Sequence, residues 1–371
     1  MGALDLVGIA TNYFKADLGL TDSQAGFIPG LVSVWFLLIS IPAGRIMHSF
    51  GKRNTVLFAL TILCPSLIAA FFCKAYWTML VSMAMMGIGS TILVVSLNPL
   101  VASLVSGKDL ASSLTAGQCF KATAALTAPL IAALGVKYAV PMCGWRVVFA
   151  VFFLVTLVAA LMLSAAGRNT SNEAADSSTS PTSLSQCLAL LKKPAILAAF
   201  IAVLCHVGSD VGITIATPKL FAQRLALPLQ DAALSVTVYF ICRLAGALIG
   251  IYLLKRISSR NALLLGVMLL LAGIAIACCA QSQWSLYLAV AIVGLGNANI
   301  CALIISEALL AAPEEQNTTS AVITMGLAGG ALFPLLMGFA SDLFGLAGPL
   351  IIITACVVFV GIYSLRLSRN V

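Results

Sequence analysis

The sequence predicts an all-α membrane protein built as two six-helix bundles related by a pseudo-two-fold axis, with twelve helices of which the first is shortened. Three observations carry that prediction. The chain of 371 residues is 61% hydrophobic and only 9% charged, with a mean hydropathy of +1.10, far more apolar surface than a soluble core of this length needs. Twelve long apolar segments follow one another with short connections, leaving no room for a soluble domain. The third observation is an internal repeat. Asp5 opens DLVGIATNYF and Asp210 opens DVGITIATPKLF; IAT recurs at 9 and 215, Arg53-Asn54 at 260, GIG at 87 as GLG at 294, and Pro129-Leu130 at 334. The offsets run only from 205 to 207, which is hard to obtain by accident. Six helices repeated in the same membrane orientation are what a carrier with two bundles around a midplane site requires.

Taken in order, the first apolar run, Met1 to Phe14, is shorter than the ~20 helical residues that a bilayer core demands. The true start is therefore expected upstream, or the first helix is truncated. A signal peptide does not fit, because no basic region precedes the run and no small-residue cleavage site follows it. The second segment runs from Gln24 to Met47 and the third from Thr55 to Cys73, joined by the basic loop HSFGKRN. Segments at 77–104, 110–137 and 146–166 complete a first bundle, residues 1–166. Residues 167–193, rich in Ser, Thr and Asn, are expected to form a cytoplasmic linker, mobile for much of its length. The second bundle, 194–371, holds segments at 194–221, 230–254, 260–280, 284–311, 317–344 and 347–366. Asn169-Thr-Ser and Asn317-Thr-Thr read as chance sequons on inner loops.

Basic residues set the sidedness. With both termini in the cytoplasm, the inner loops and tail hold twelve Lys and Arg, including Arg45, Lys52, Arg53, Lys192, Lys193, Lys255 and Arg256, against six outside. An inner, cytoplasmic membrane location follows, and the same rule accounts for the net charge of +8 without a nucleic-acid partner. The eleven cysteines lie singly along helices apart from Cys278-Cys279, with no CxxC or Cys/His metal spacing. GRIMHSFGKR at 44–53 has the wrong gap for a phosphate loop and no Ser or Thr after its Lys, so no nucleotide is expected. Two histidines, one in a loop and one in a helix, leave a catalytic or metal centre without parts. We expect neither enzyme activity nor a cofactor, and a monomer surrounded by lipid.

At PAGRIMHSFGKR, residues 42–53, the chain resembles the major facilitator superfamily, whose loop between the second and third helices carries a Gly, then Asp-Arg, then Gly-Arg-Lys. Gly44, Gly51, Lys52 and Arg53 fit that gating loop, while His48 and Ser49 stand where Asp and Arg are usual. The chain is more closely similar to the fucose permease-like sugar/proton symporters at SLNPLV (96–101), GQCFKA (117–122), Arg243 with Gly246, and SAVITMGLAGGALFPLLMGFASDLFG (320–345). The resemblance implies the major facilitator fold and secondary transport of a sugar or similar small polar solute with a proton. In that family an Asp on the first helix and a Glu on the fourth serve sugar binding and proton coupling. Here those positions fall at about Gly8, leaving Asp5 one turn below, and at Val94. Gln118 matches an amide that lines the family's cavity; Lys121 occupies another such position.

Two acids inside apolar runs, Asp5 and Asp210, are the candidates for proton coupling, since a membrane carboxylate is tolerated mainly where it faces protein or water. The alternative is that each is a permanently ionised partner of a cation such as Lys121 or Arg243. His206 lies one turn before Asp210 on the same face and is a candidate relay or ligand, or a packing histidine. Arg243, where the family also places an Arg, is expected to pair with an aspartate. Asn98, Gln118, Asn297 and Asn299 offer the donors and acceptors that hydroxyls need, or else join helices to one another. Lys121 leaves open a second cargo, an organic anion. A non-transporting sensor is the remaining alternative, and it lacks the soluble output domain a sensor carries. Glu307, Glu314 and Glu315 read as solvated caps or gate contacts, and Pro129, Gly329, Gly330 and Pro334 as sites of bending and close packing.

Overall fold

The computed structural model describes residues 6–105, 108–138, 144–166, 183–226, 232 and 234–367. Every regular element among them is helical. Ten helices are long and apolar enough to cross a membrane, or eleven when one bent pair is counted as a single span. The chain is a multi-pass membrane protein. Asp5 lies outside the described residues, and so does the linker from 167 to 182.

Helix α1 (Leu6–Leu18) is 13 residues long as described. The second segment is split into α2 (Asp22–Leu38) and α3 (Ser40–Phe50), bent by 51°. Pro42 explains the break: it has no N–H for the carbonyl of Leu38, and its ring pushes that carbonyl away. At the other end of α3, Gly51 closes the helix with φ +80°, a backbone shape that a side chain resists. α4 (Lys52–Phe72), α5 (Tyr76–Leu104), α6 (Lys108–Tyr138) and α7 (Val147–Ala165) follow.

The far end of the expected linker is a short helix, α8 (Leu184–Leu191), because Ser183 and Gln186 form a reciprocal capping box at its start. Burial pushes the Cys187 thiol on this helix up to about 11, so it stays protonated and unreactive at neutral pH. Then come α9 (Pro194–Leu225), α10 (Leu234–Leu253) and α11 (Ser259–Cys279). The tenth segment breaks at Ala298-Asn299 into α12 (Gln283–Asn297) and α13 (Ile300–Ala311). The eleventh is α14 (Gln316–Met325), one 3-10 turn at Gly326–Ala328, and α15 (Gly329–Phe344); α16 (Ala347–Arg366) closes the chain.

The helices gather into two compact units. Unit 1 comprises Met1–Leu104, Ala124–Lys192 and Ala312–Met325; unit 2 comprises Val105–Thr123, Lys193–Ala311 and Gly326–Val371. Long helices are thus shared: the first part of α6 belongs to unit 2, and α14 belongs to unit 1. Unit 1 has a continuous apolar core including Phe14, Met47, Leu67, Met83, Met86 and Phe149. Ser320 on α14 donates to the carbonyl of Val95 on α5 at 2.7 Å within it.

Helix ends on both units are tied by arginines. Arg53 donates through Nη2 to the carbonyls of Leu163 (2.7 Å), Ser164 (3.0 Å) and Ala166 (2.6 Å), which the end of α7 leaves without helical partners. Arg224 does the same for Ala277 and Ala280 at the end of α11.

Close approach between helices rests on glycines, and here the repeat is visible in three dimensions. In unit 1 a Cβ at Gly87 would lie 3.0 Å from the Val32 carbonyl, and one at Gly89 3.3 Å from the Ala59 carbonyl. In unit 2 a Cβ at Gly294 would lie 2.6 Å from the Tyr239 carbonyl, and one at Gly296 2.7 Å from the Gly266 carbonyl. Every member of the second set is its counterpart shifted by 207 residues in the sequence. The repeated pattern therefore encodes the same helix crossings twice, with small residues letting backbones meet where lipid supplies no hydrophobic drive.

Candidate functional site

α9 is apolar for most of its 32 residues, and Asp210 falls at its middle. Two faces of the helix do different work. Gly208 and Gly212 lie against Phe333 and Met337 of α15, and a Cβ at Gly208 would fall 2.2 Å from the Phe333 ring. His206 and Asp210 occupy another face, one helical turn apart. α10 buries a stripe at Tyr239, Arg243, Gly246 and Gly250, spaced as one helical face. Gly246 and Gly294 bring α10 and α12 into backbone contact, which places Asn297, the last residue of α12, beside Tyr239.

Four hydrogen bonds converge on the Asp210 carboxylate. Arg243 donates from Nη1 to Oδ1 and Oδ2, both at 2.8 Å. Asn297 donates from Nδ2 to Oδ1 at 2.8 Å, and the Tyr239 hydroxyl donates to Oδ1. Asn297 Nδ2 also donates to the Tyr239 oxygen. The group is largely buried: Tyr239 is 1% exposed, His206 2%, Arg243 7% and Asn297 0%, while the Asp210 side chain keeps 13% of its surface exposed. In such surroundings a charge survives only when paired and hydrogen-bonded, and Asp210 and Arg243 satisfy that condition in each other. One acceptor is left over. Asn297 Oδ1 is buried without a hydrogen-bond partner among the described residues.

Lys121 joins the same unit from α6. Ser112 donates to the carbonyl of Ile251 at 2.9 Å, and one to two turns further on Cys119 packs against Ala247 and Ala298, so α6 runs antiparallel along α10 toward Arg243. Two residues beyond Cys119, Lys121 acts electrostatically on Asp210, on His206 and on the Cys301 thiol.

The residues singled out from sequence thus have different fates. Asp210, His206, Arg243, Asn297 and Lys121 come together. Asn299 donates from Nδ2 to the Gly246 carbonyl at 3.1 Å and fills the space over Gly250, joining α13 to α10. Gln118 is half-buried on α6, and Asn98 is buried on α5 in unit 1. Gly44 is buried in α3, Gly51 and Lys52 form the turn into α4, and Arg53 serves the end of α7. Among the described residues no cluster of His, Cys, Asp and Glu has the makings of a metal site. Sequence reasoning missed Tyr239. The available signal was a phenol four residues before Arg243 in an otherwise apolar helix, where its hydroxyl needs a partner.

Comparison with known proteins fits this architecture. Glucose/galactose transporters of Brucella abortus, from biovar 1 strain 9-941 and from strain 2308, are each 23% identical to the chain, over 90% of it and 83% of their own length. Among solved structures, the fucose:proton symporter of E. coli superposes with a TM-score of 0.83 at 19% identity, covering 100% of this chain and 97% of that one. The proton:xylose symporter XylE, bound to 6-bromo-6-deoxy-D-glucose, superposes at 0.77 with 13% identity, over 99% and 92%. A family model described as the Major Facilitator Superfamily matches residues 1–332 and 199–370. With that match spanning both repeats, the chain belongs to the Major Facilitator Superfamily.

Proposed function

We propose that the protein is a secondary active transporter that carries a small sugar or sugar-like solute together with a proton by alternating access, and not an enzyme. The observation that carries the reading is the paired carboxylate and guanidinium of Asp210 and Arg243 at the middle of a membrane-length helix, since ionisable groups at that depth mark solute and proton paths. The names of the relatives, glucose/galactose transporters and sugar:proton symporters, support the same cargo class.

In the proposed cycle a proton arrives at Asp210, with His206 one turn away as its relay, and the protonated carboxyl releases Arg243. The freed donors of Arg243 and the spare acceptor of Asn297 then meet the solute, with Gln118, Lys121, Asn98 and Asn299 as further candidates for its hydroxyls. Asp5 remains the proposed counterpart acid of the first repeat. Residues 1–166 and 194–371 act as the two bundles joined by the linker 167–193. The chain sits as a monomer in the cytoplasmic membrane with both termini inside, as the two-to-one distribution of basic residues supports.

The test is uptake of labelled glucose, galactose and fucose, with gluconate and glucuronate alongside, into proteoliposomes under an imposed pH gradient. Proton-driven accumulation of at least one solute is expected, and Asp210→Asn is expected to abolish accumulation against a gradient. An Asp210→Asn carrier that still concentrates solute removes the proton from Asp210.

A further inference from the structure

The turn that joins α10 to α11 is the second copy of the turn that joins α3 to α4, and the two use their charges differently. At the repeat offset of 207, Arg53-Asn54 becomes Arg260-Asn261, while His48 and Ser49 become Lys255 and Arg256. In the first copy the Arg53 guanidinium is taken up by the carbonyls of Leu163, Ser164 and Ala166. In the second, the side chains of Lys255, Arg256 and Arg260 have no hydrogen bond or ion pair among the described residues, and Nε of Arg260 is buried without a partner. Three cations thus stand within six residues of chain, and no acid among the described residues is paired with any of them.

Their placement tells what faces them. Leu254 donates its N–H to the Gly250 carbonyl at 2.9 Å and Ile257 to that of Leu253 at 3.0 Å, so the helical path continues past the end of α10 and Tyr252, Lys255 and Arg256 share one face. On that face Ile249 is 58% exposed and Tyr252 75%. In a multi-pass membrane protein an exposed isoleucine lies against acyl chains, and a tyrosine one turn further marks the level where chains give way to headgroups. Lys255 and Arg256 follow Tyr252 by about 4.5–6 Å along the helix axis, which is the depth of the ~5–7 Å headgroup layer. Arg260 comes next in the first turn of α11, whose start is capped by Ser258 accepting from the Asn261 N–H at 3.4 Å.

We propose that this turn binds the headgroup of an anionic phospholipid, one that carries phosphate and no amine. Lys255, Arg256 and Arg260 hold the phosphate, and Tyr252 and Ile249 lie along the glycerol and the first acyl carbons. A free phosphate or an acidic peptide leaves Ile249 and Tyr252 unused, and an ethanolamine head brings an ammonium that the three cations repel. The site is separate from the Asp210 group and does not depend on what solute the protein carries.

Native mass spectrometry of the full chain in detergent measures its affinity for phosphatidylglycerol and for phosphatidylethanolamine of the same acyl composition. Expected is tighter binding of phosphatidylglycerol by about tenfold or more. Lys255→Gln with Arg256→Gln, both exposed, is expected to weaken that binding about twentyfold, and adding Arg260→Gln about fivefold again. Arg45→Gln with Lys52→Gln removes two charges from the first copy and is expected to change it by less than about twofold, because screening confines each cation to its own surroundings. Equal affinity of the unsubstituted chain for the two lipids overturns the inference, and that comparison needs no variant to fold. A loss in the Arg45 and Lys52 variant as large as that in the Lys255 and Arg256 variant overturns it too, since any basic loop would then serve. Displacement of the lipid by glycerol 3-phosphate at matching concentration overturns it by making the ligand a soluble phosphate.

Discussion

Unit 1 and unit 2 use the same helix crossings to hold very different contents. The glycine contacts at Gly87 and Gly89 recur at Gly294 and Gly296 against partners shifted by the same 207 residues. The same shift maps Tyr239 onto Val32, Arg243 onto Phe36 and Asn297 onto Ser90. Where unit 2 assembles a hydrogen-bonded ion pair, the described part of unit 1 places a small aliphatic, an aromatic and a hydroxyl that is buried without a partner. Backbone approach is the shared property and charge is the divergent one. A scaffold that depends on small residues at crossings leaves the positions one turn away free to differ, and at these matched positions only the second copy carries charge.

That contrast can be broken most forcefully at Arg243. Arg243→Met strands Asp210 in a largely buried site, and loss of one partner of a buried pair costs about 3–5 kcal/mol; Phe36→Met at the equivalent place trades one apolar side chain for another and is expected to cost less than about 1.5 kcal/mol. Thermal unfolding in detergent measures both, and equal losses would show that the pair is not what distinguishes the units. Restoring neutrality with Asp210→Asn in the Arg243→Met background should recover part of the loss.

A smaller effect separates the two glycine crossings. Gly294→Ala puts a methyl 2.6 Å from the Tyr239 carbonyl, whereas at Gly87 the nearest atom is Cδ1 of the Trp35 side chain at 2.7 Å, with the Val32 carbonyl at 3.0 Å. Both substitutions are expected to cost about 1–3 kcal/mol by overpacking, but only Gly294→Ala pushes Asn297 away from Asp210. Uptake per folded molecule should therefore fall for Gly294→Ala and hold for Gly87→Ala; the reverse pattern would uncouple the crossing from the polar group.

The smallest effect is at Tyr239. Tyr239→Phe removes one donor from Asp210 while Arg243 and Asn297 remain, so stability should fall by about 1 kcal/mol. Uptake should shift its pH dependence more than its maximum rate, because the change falls on the group proposed to carry the proton. A Tyr239→Phe carrier with an unchanged pH profile would confine the phenol to packing.

Much of this was legible beforehand, for identifiable reasons. Apolar runs announce spans because lipid forces every backbone group into a helix, and Asp210 announces itself because a charge in such a run needs a special cause. The near-constant offset announced the repeat. Other features are consequences of contact. Asn297 and Asn299, two residues apart and alike in type, serve different ends: one donates to Asp210, the other to a carbonyl of α10. The break between α12 and α13 turns them in different directions, and no spacing rule anticipates it. Arg53 fitted a loop motif, yet its guanidinium serves the end of α7, more than a hundred residues away.

The sequence by itself determined the spans, the two copies and the presence of a carboxylate within the membrane, because each is a matter of local hydrophobicity or of recurrence along one dimension. Only the tertiary structure decided the partners: that Asp210 is held by Arg243, Tyr239 and Asn297 together, and that Lys121 on α6 comes within electrostatic reach of Asp210. Hydrogen bonds and Coulomb forces act through space over a few ångströms, and those distances exist only once α6, α9, α10 and α12 have packed.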